Sequence, residues 1–253
     1  MRPFYLFLIC VLSACGGKQS LESKAPMQAS ISQRPKVLFL DVNETLLDLG
    51  AMRASVANAL GGREDLLPLW FSTMLHHSLV DSAINDYHSF GEVGVAALQM
   101  VAEANNIPLT HAAAKEAIVT PLRSLPPHPD VVEGLTLLKK KGYTIVSLTN
   151  SSDKGVQTQF ENAGLLSFFD RRLSVDSVKK FKPNMAVYEW ALAEMGIEAS
   201  EGLMIAAHGW DIAGAKAAGM QAAFISRPGK VMYPLSIPAD YVAPTLLALA
   251  EEL

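Results

Sequence analysis

The chain has 253 residues, 50% of them hydrophobic and 18% charged, with 21 Lys and Arg against 25 Asp and Glu for a formal net charge of −4. At roughly 100 to 200 residues per domain this is one large domain or two modest ones, which excludes a disordered chain, a collagen-like repeat or a disulfide-stapled miniature. The near-neutral balance lacks the basic stripe of a nucleic-acid binder, so no nucleic-acid partner is expected. Both cysteines, Cys10 and Cys15, lie at the extreme N-terminus, so the body of the chain carries neither a disulfide framework nor a thiolate metal cluster.

Met1-Arg2-Pro3 carries one positive charge and leads into an apolar run from Phe4 to Leu12. Such a run is shorter than the about 20 residues that span a bilayer as a helix, and it fits the apolar region of a secretory signal. Leu12-Ser13-Ala14-Cys15-Gly16 then resembles a bacterial lipobox. The resemblance implies that residues 1–14 are a signal peptide cleaved before Cys15, whose thiol is lipidated. The expected location is the bacterial cell envelope, with a soluble domain lipid-anchored to a membrane on its periplasmic or extracellular face. Gln19 to Arg34 is polar and without apolar periodicity, so residues 15–34 are expected to be a flexible tether. Folded structure is expected from about Pro35.

Lys36 to Leu40 is a short apolar run ending in Asp41, the pattern of a buried parallel strand with a functional residue at its C-terminal end. From Met52 to about Thr120 the pattern predicts helix throughout: Leu66, Leu69, Trp70, Met74, Leu75 and Leu79 recur at three- and four-residue spacing, as do Val93, Ala97, Met100 and Val101. Pro126-Pro127-His128-Pro129 punctuates. Helices are then predicted at Val131–Lys141, Lys154–Ala163, Met185–Met195 and Ile212–Ala218, alternating with strands at Thr144–Leu148, Arg172–Val175, Leu203–Ala207 and Gln221–Ile225. That alternation argues for an α/β fold, a Rossmann-like doubly wound parallel sheet covered by helices on both faces. Residues 35–50 and 124–253 form the expected core, and residues 51–123 a helical cap inserted after the first strand, over the sheet edge where ligands bind.

Residues just beyond parallel strands meet at one edge although far apart in sequence. Here those are Asp41 with Asn43 and Thr45, Thr149 with Asn150, and His208 with Asp211; Lys182 lies between the latter two groups. Asp41-Val-Asn-Glu-Thr45, Ser147-Leu-Thr149-Asn150, Lys182-Pro183 and Trp210-Asp211 with Gly214-Ala215-Lys216 resemble, in order, the four motifs of the haloacid dehalogenase superfamily. Leu-Leu-Pro-Leu-Trp70, Ser174-Val175-Asp176 and Lys182-Pro183-Asn184 narrow the resemblance to its type II, or (S)-2-haloacid, dehalogenases. A magnesium phosphatase of the superfamily needs a second Asp two residues after the nucleophile and an acidic pair in the last motif, since Mg²⁺ demands hard oxygen ligands. Asn43 and Ala207 stand at those places, so no metal and no other cofactor is expected.

The resemblance implies a metal-independent hydrolase acting on carbon–halide bonds. Asp41 would attack the 2-carbon of a short haloacid or related small carboxylate, and water would hydrolyse the resulting ester. Lys182 would keep Asp41 ionised. Asp211, which would also cap its helix, would orient and activate water, with Lys182 assisting and His208 a further candidate. Thr45, Thr149 and Asn150 would hydrogen-bond Asp41 or the substrate carboxylate. Tyr188 resembles a hydroxyl that contacts the site and the substrate, and Leu75, Phe90 and Trp210 match substrate-pocket positions. A homodimer is left open. The family places a halide-binding Arg after the cap's Leu-Trp, where this chain has Phe71; Asn43, Ala206 and His208 replace an aromatic residue, a Ser and an Asn. These departures put the leaving group in question, with His88, Asn43 or His208 as substitute donors. A phosphatase-like hydrolase and a non-catalytic, envelope-tethered binding protein are the alternatives.

Overall fold

The structure, a computed structural model, describes residues 34–253. The expected signal peptide, nearly all of the expected tether and the expected lipidation at Cys15 lie outside the described residues.

Six parallel strands form one sheet in the order β3-β2-β1-β4-β5-β6. They are β1 (Val37–Leu40), β2 (Thr144–Thr149), β3 (Arg171–Ser174), β4 (Gly202–Ala206), β5 (Gln221–Ile225) and β6 (Tyr241–Ala243). The central strands are apolar along their length because both faces are covered, and β1, β4 and β5 are buried at every residue. In β1, Leu40 pairs with Ser147 on one side and Ile205 on the other. That register brings the chain just after β1, β2 and β4 to one place on the sheet's C-terminal edge.

The cap consists of α1 (Arg53–Ala59), α2 (Leu67–Ile84), α3 (Phe90–Ala104) and α4 (His111–Leu122). The core helices are α5 (Val131–Lys140), α6 (Asp153–Ala163), α7 (Met185–Met195), α8 (Gly209–Ala217) and α9 (Leu246–Glu252). The expected unbroken helical stretch is in fact interrupted three times, and the chain turns at Gly61, Gly62, Asn85 and Asn106 with positive φ. Leu69 and Leu79, assigned to the buried stripe, are 47% and 46% exposed, and Met100 is also exposed. The buried face of α2 is Leu67, Trp70, Met74 and Ser78. Trp70 donates its indole N–H to the Gly94 carbonyl at 2.9 Å. A Cβ at Gly94 would lie 3.0 Å from the Met74 sulfur, so the missing side chain lets α2 and α3 approach closely.

The cap is also tied to the core beside Lys182. The Phe181 N–H donates to Ser82 Oγ at 2.8 Å, Lys180 reaches the Ser82 carbonyl at 2.6 Å, and Tyr87 donates to Asp176 at 2.6 Å. No described helix is long and apolar enough to cross a membrane.

Candidate active site

Asp41 follows β1 directly, and its N–H donates to the Ile205 carbonyl at 3.0 Å, continuing the ladder one residue past the strand. The chain then folds back so that the Leu46 and Leu47 N–H groups both reach the Val42 carbonyl. Glu44 takes the left-handed conformation, φ 64°, at the crest of this loop, a cost a non-glycine residue bears only when its surroundings fix it there. Thr45 is thereby turned under Asp41: its hydroxyl donates to Asp41 Oδ2 at 2.7 Å and accepts the Ala207 N–H at 2.9 Å.

On one flank of Asp41 stands Lys182. Its ammonium donates to Asp41 Oδ1 at 2.9 Å and to Asp211 Oδ2 at 2.6 Å, with all three side chains buried. Tyr188, fully buried, donates to the other oxygen of Asp211 at 2.6 Å. Burial disfavours the Lys182 ammonium, but the two carboxylates overcome it and raise its pKa. Burial raises Asp211, opposed by Lys182 and assisted by the negative charge of Asp41.

On the other flank stands His208. Its Nδ1 lies 3.2 Å from Asp41 Oδ2 and its Nε2 lies 2.8 Å from Glu44 Oε2. Burial would favour the neutral ring, yet bonds to two carboxylates raise its pKa to about 9, so at neutral pH it is an imidazolium that donates to both. Trp210 stacks on the ring at 4.7 Å and Phe71 at 6.4 Å. Lys230 bonds the second oxygen of Glu44. Burial would raise the Asp41 pKa, but Lys182 and His208 overcome it and hold the carboxyl well below the usual carboxylate range. Glu44 is lowered against burial in the same way, by His208 and Lys230.

An open cavity of about 580 Å³ lies against this second flank, with Glu44, Phe71, Leu75, His208, Trp210 and Lys230 among its walls. Leu75 and Trp210 are thus brought together on one cavity. Phe90 is not: it lines a different cavity, of about 420 Å³, between the cap and α6, and packs on Phe181 at 5.7 Å.

The other residues named from the sequence take the following places, and one expectation, the Asp211 cap, needs correction. Thr149 accepts the Ser151 N–H at 3.0 Å and Asn150 accepts the Lys182 N–H at 2.9 Å; neither bonds Asp41 among the described residues, and both shape the loops that aim Lys182. Tyr188 contacts the site through Asp211. Asp211 is no cap, because α8 already starts at Gly209. Of the substitute donors, His88 bonds Asp81 on the surface, and Asn43 is buried between Ser151 and Gln159. Both nitrogens of His208 are committed to carboxylates.

Two site residues escaped the sequence reading. Glu44 lay inside a motif already singled out, and Lys230 follows β5 across a Pro-Gly turn, so its place just beyond a strand of the same edge was the available signal. Arg227 anchors that segment, donating to the Thr45 carbonyl at 2.9 Å and to Asp130 at 2.6 Å.

A parallel sheet, an inserted helical cap and an ionised carboxylate held between a lysine and a histidine define a doubly wound α/β protein with a carboxylate-centred site. The chain belongs to the haloacid dehalogenase-like hydrolase family, whose model matches residues 35–219. It is 28% identical over 217 residues to the (S)-2-haloacid dehalogenase of Pseudomonas sp. (strain YL), covering 85% of this chain and 93% of that one. It is 26% identical to haloacetate dehalogenase H-2 of Moraxella sp. (strain B), covering 85% and 96%. The fold superimposes on the L-2-haloacid dehalogenase of Xanthobacter autotrophicus with a TM-score of 0.80 at 23% identity, covering 86% of this chain and 97% of that one.

Proposed function

We propose that this hydrolase cleaves the carbon–halogen bond of a short 2-haloacid or related small carboxylate through an ester on Asp41. The observation that carries the reading is the Asp41 carboxylate, kept ionised between the Lys182 ammonium and the His208 imidazolium beside a cavity whose walls set Phe71, Leu75 and Trp210 against Glu44, His208 and Lys230. In the first step an Asp41 oxygen forms a bond to C2 while the carbon–halogen pair leaves with the halide, inverting the carbon.

Esterification removes the negative charge of Asp41, and with it one of the two anions that hold His208 protonated. His208 then gives up its proton to solvent, and Nδ1 becomes a base facing the ester while Glu44 retains Nε2–H. Water adds to the Asp41 carbonyl carbon as His208 takes its proton. The tetrahedral adduct expels the alkoxide, which receives that proton to give the 2-hydroxyacid. The remaining carboxyl proton returns to His208, restoring the resting ion pair. His208 is thus the catalytic base and Glu44 its positioning residue. Asp211, with Tyr188 on one oxygen and Lys182 on the other, serves chiefly to hold Lys182.

A magnesium-dependent phosphatase fits the residues poorly. Lys182 Nζ lies between Asp41 and Asp211, where a divalent cation would need oxygen donors, and Ala207 supplies none.

The test is single-turnover hydrolysis of 2-chloropropionate, 2-bromoacids and fluoroacetate in H₂¹⁸O, with and without EDTA. Label in the Asp41 carboxylate and halide release indifferent to EDTA are expected. A strict Mg²⁺ requirement sinks the reading, and an Asp41→Asn variant that keeps full function in the cell favours a binding protein. In His208→Asn the halide burst should persist while the ester accumulates, visible by intact mass, with turnover down about 10²- to 10⁴-fold.

The reading includes lipid anchoring through Cys15 in the bacterial envelope, supported by Leu12-Ser13-Ala14-Cys15-Gly16. Palmitate labelling of full-length protein, lost in Cys15→Ala, tests it. A second copy of the chain is a candidate partner, which sedimentation would count.

A further inference from the structure

We propose that Lys230 is a positioning residue of the same reaction, fixing Glu44 from the β5–β6 loop and thereby setting the pH at which His208 becomes a base. The inference rests on the ester reading above. Lys230 occupies the Glu44 oxygen that His208 does not use, and the bonds run from Lys230 through Glu44 and His208 to Asp41. A carboxylate held only by an imidazole can pivot and offer either oxygen; an ammonium on the second oxygen removes that freedom.

The segment that carries Lys230 is built against the site at two points and closed by a turn of its own. Arg227 holds the Thr45 carbonyl on the nucleophile loop. The Lys230 N–H closes a turn onto the Arg227 carbonyl at 2.9 Å. At Gly209, next to His208, a Cβ would lie 2.8 Å from the Tyr233 nitrogen and 2.9 Å from the Val231 carbonyl oxygen. The placement of Lys230 is therefore tied to that of His208 itself. Its side chain lies over the Phe71 ring at 5.7 Å and on the cavity rim.

The charged and titratable groups around His208 and Glu44 are Asp41 on the β1 loop, Lys182 before α7, Asp211 on α8 with Tyr188 behind it, Lys230, Arg53 on the same cavity wall, and His128, whose Nε2 lies 3.2 Å from the Glu44 carbonyl oxygen. Phe71 and Trp210 add no charge. Once Asp41 is esterified, Glu44 is the anion left on the imidazole. The Lys230 ammonium offsets that charge, and without it the imidazolium persists to higher pH.

Rapid-quench kinetics of Lys230→Met and Lys230→Arg with 2-bromopropionate, from pH 6 to 10, separate the halide burst from ester hydrolysis. In Lys230→Met the burst and its dependence on substrate concentration should be kept and kcat/KM unchanged, while the apparent pKa of ester hydrolysis rises by on the order of one unit, slowing hydrolysis about tenfold at neutral pH and lowering kcat and KM together. Lys230→Arg should restore the wild-type profile. A raised KM with an unmoved profile overturns the proposal by making Lys230 a receptor for the substrate carboxylate; no change in either makes it a surface ion pair. An NMR titration of the His208 ring in unreacted enzyme gives a second readout. An unmoved midpoint in Lys230→Met overturns the proposal even if no haloacid is turned over, whereas a missing halide burst in wild type counts against the ester reading alone.

Discussion

The two flanks of Asp41 hold the same carboxylate by opposite means. On the Lys182 flank every polar atom is withdrawn from water and bonded: Lys182 is 1% exposed and Asp211 0%. On the His208 flank the chain of partners ends at Lys230, whose side chain is 24% exposed on the rim of a cavity. A sealed ammonium between two carboxylates keeps its proton, so it can supply constant charge and fixed geometry. An imidazole whose protonation depends on a carboxylate about to be esterified can change state during the reaction. The comparison divides the labour: the closed flank holds the nucleophile ionised, and the open flank moves protons.

The largest effect should come from Lys182→Met. It leaves two buried carboxylates without their shared cation, which typically costs about 3–5 kcal/mol; urea unfolding should register that loss together with loss of the halide burst. A variant that folds with wild-type stability would break the comparison at its root. Next is the pH dependence contributed by His208. Its folded pKa, about 9, lies above the ordinary 6.5, so its stabilisation is complete below 6.5 and is lost as pH rises through 9, about 3 kcal/mol at most. Asp41, lowered from 3.8, stabilises above that value and loses its contribution only in strong acid. Stability should therefore peak between these two limits. In scanning calorimetry the gap between wild type and His208→Asn should be widest near pH 5.5 and narrow by pH 9.5. Smaller again is Tyr188→Phe, which takes a 2.6 Å donor from a buried carboxylate. A loss of about 2 kcal/mol is expected, with the halide burst slowed and the pH profile of ester hydrolysis unmoved, since Tyr188 acts only on the closed flank.

Much of the closed flank was legible in the sequence, because strand ends announce themselves. Apolar runs such as Val37–Leu40 and Leu203–Ala207 stop at polar residues, Asp41 and His208, and parallel order brings those residues together whatever their separation. The open flank was less so. Glu44 owes its direction to a left-handed backbone that no composition signal requires of a Glu, and Lys230 reaches it from 186 residues away. Thr149 and Asn150 stand at the expected edge, but their bonds to Ser151 and Lys182 were not legible, since which way a side chain turns there depends on neighbouring loops. In the cap, apolar spacing marked the helices but not their ends. Asn85 and Asn106 reverse the chain, and Leu69 and Leu79 show that a periodic leucine can still face water.

Gly209→Ala should give the smallest loss of stability and the sharpest division between the flanks. The added carbon would meet the Tyr233 nitrogen and the Val231 carbonyl oxygen at 2.8 and 2.9 Å; both are backbone atoms, so the loop must shift as a body. That loop is weakly held beyond Lys230, with Val231 80% and Leu235 83% exposed. It can yield for about 1 kcal/mol, the low end of overpacking costs. The shift would draw Lys230 away from Glu44 without touching Lys182, Asp211 or Tyr188. Gly209→Ala should thus reproduce the alkaline displacement of ester hydrolysis expected of Lys230→Met while leaving the halide burst intact. A variant that instead loses the burst would mean that the loop also supports the closed flank, and that the two sides of Asp41 are not separable.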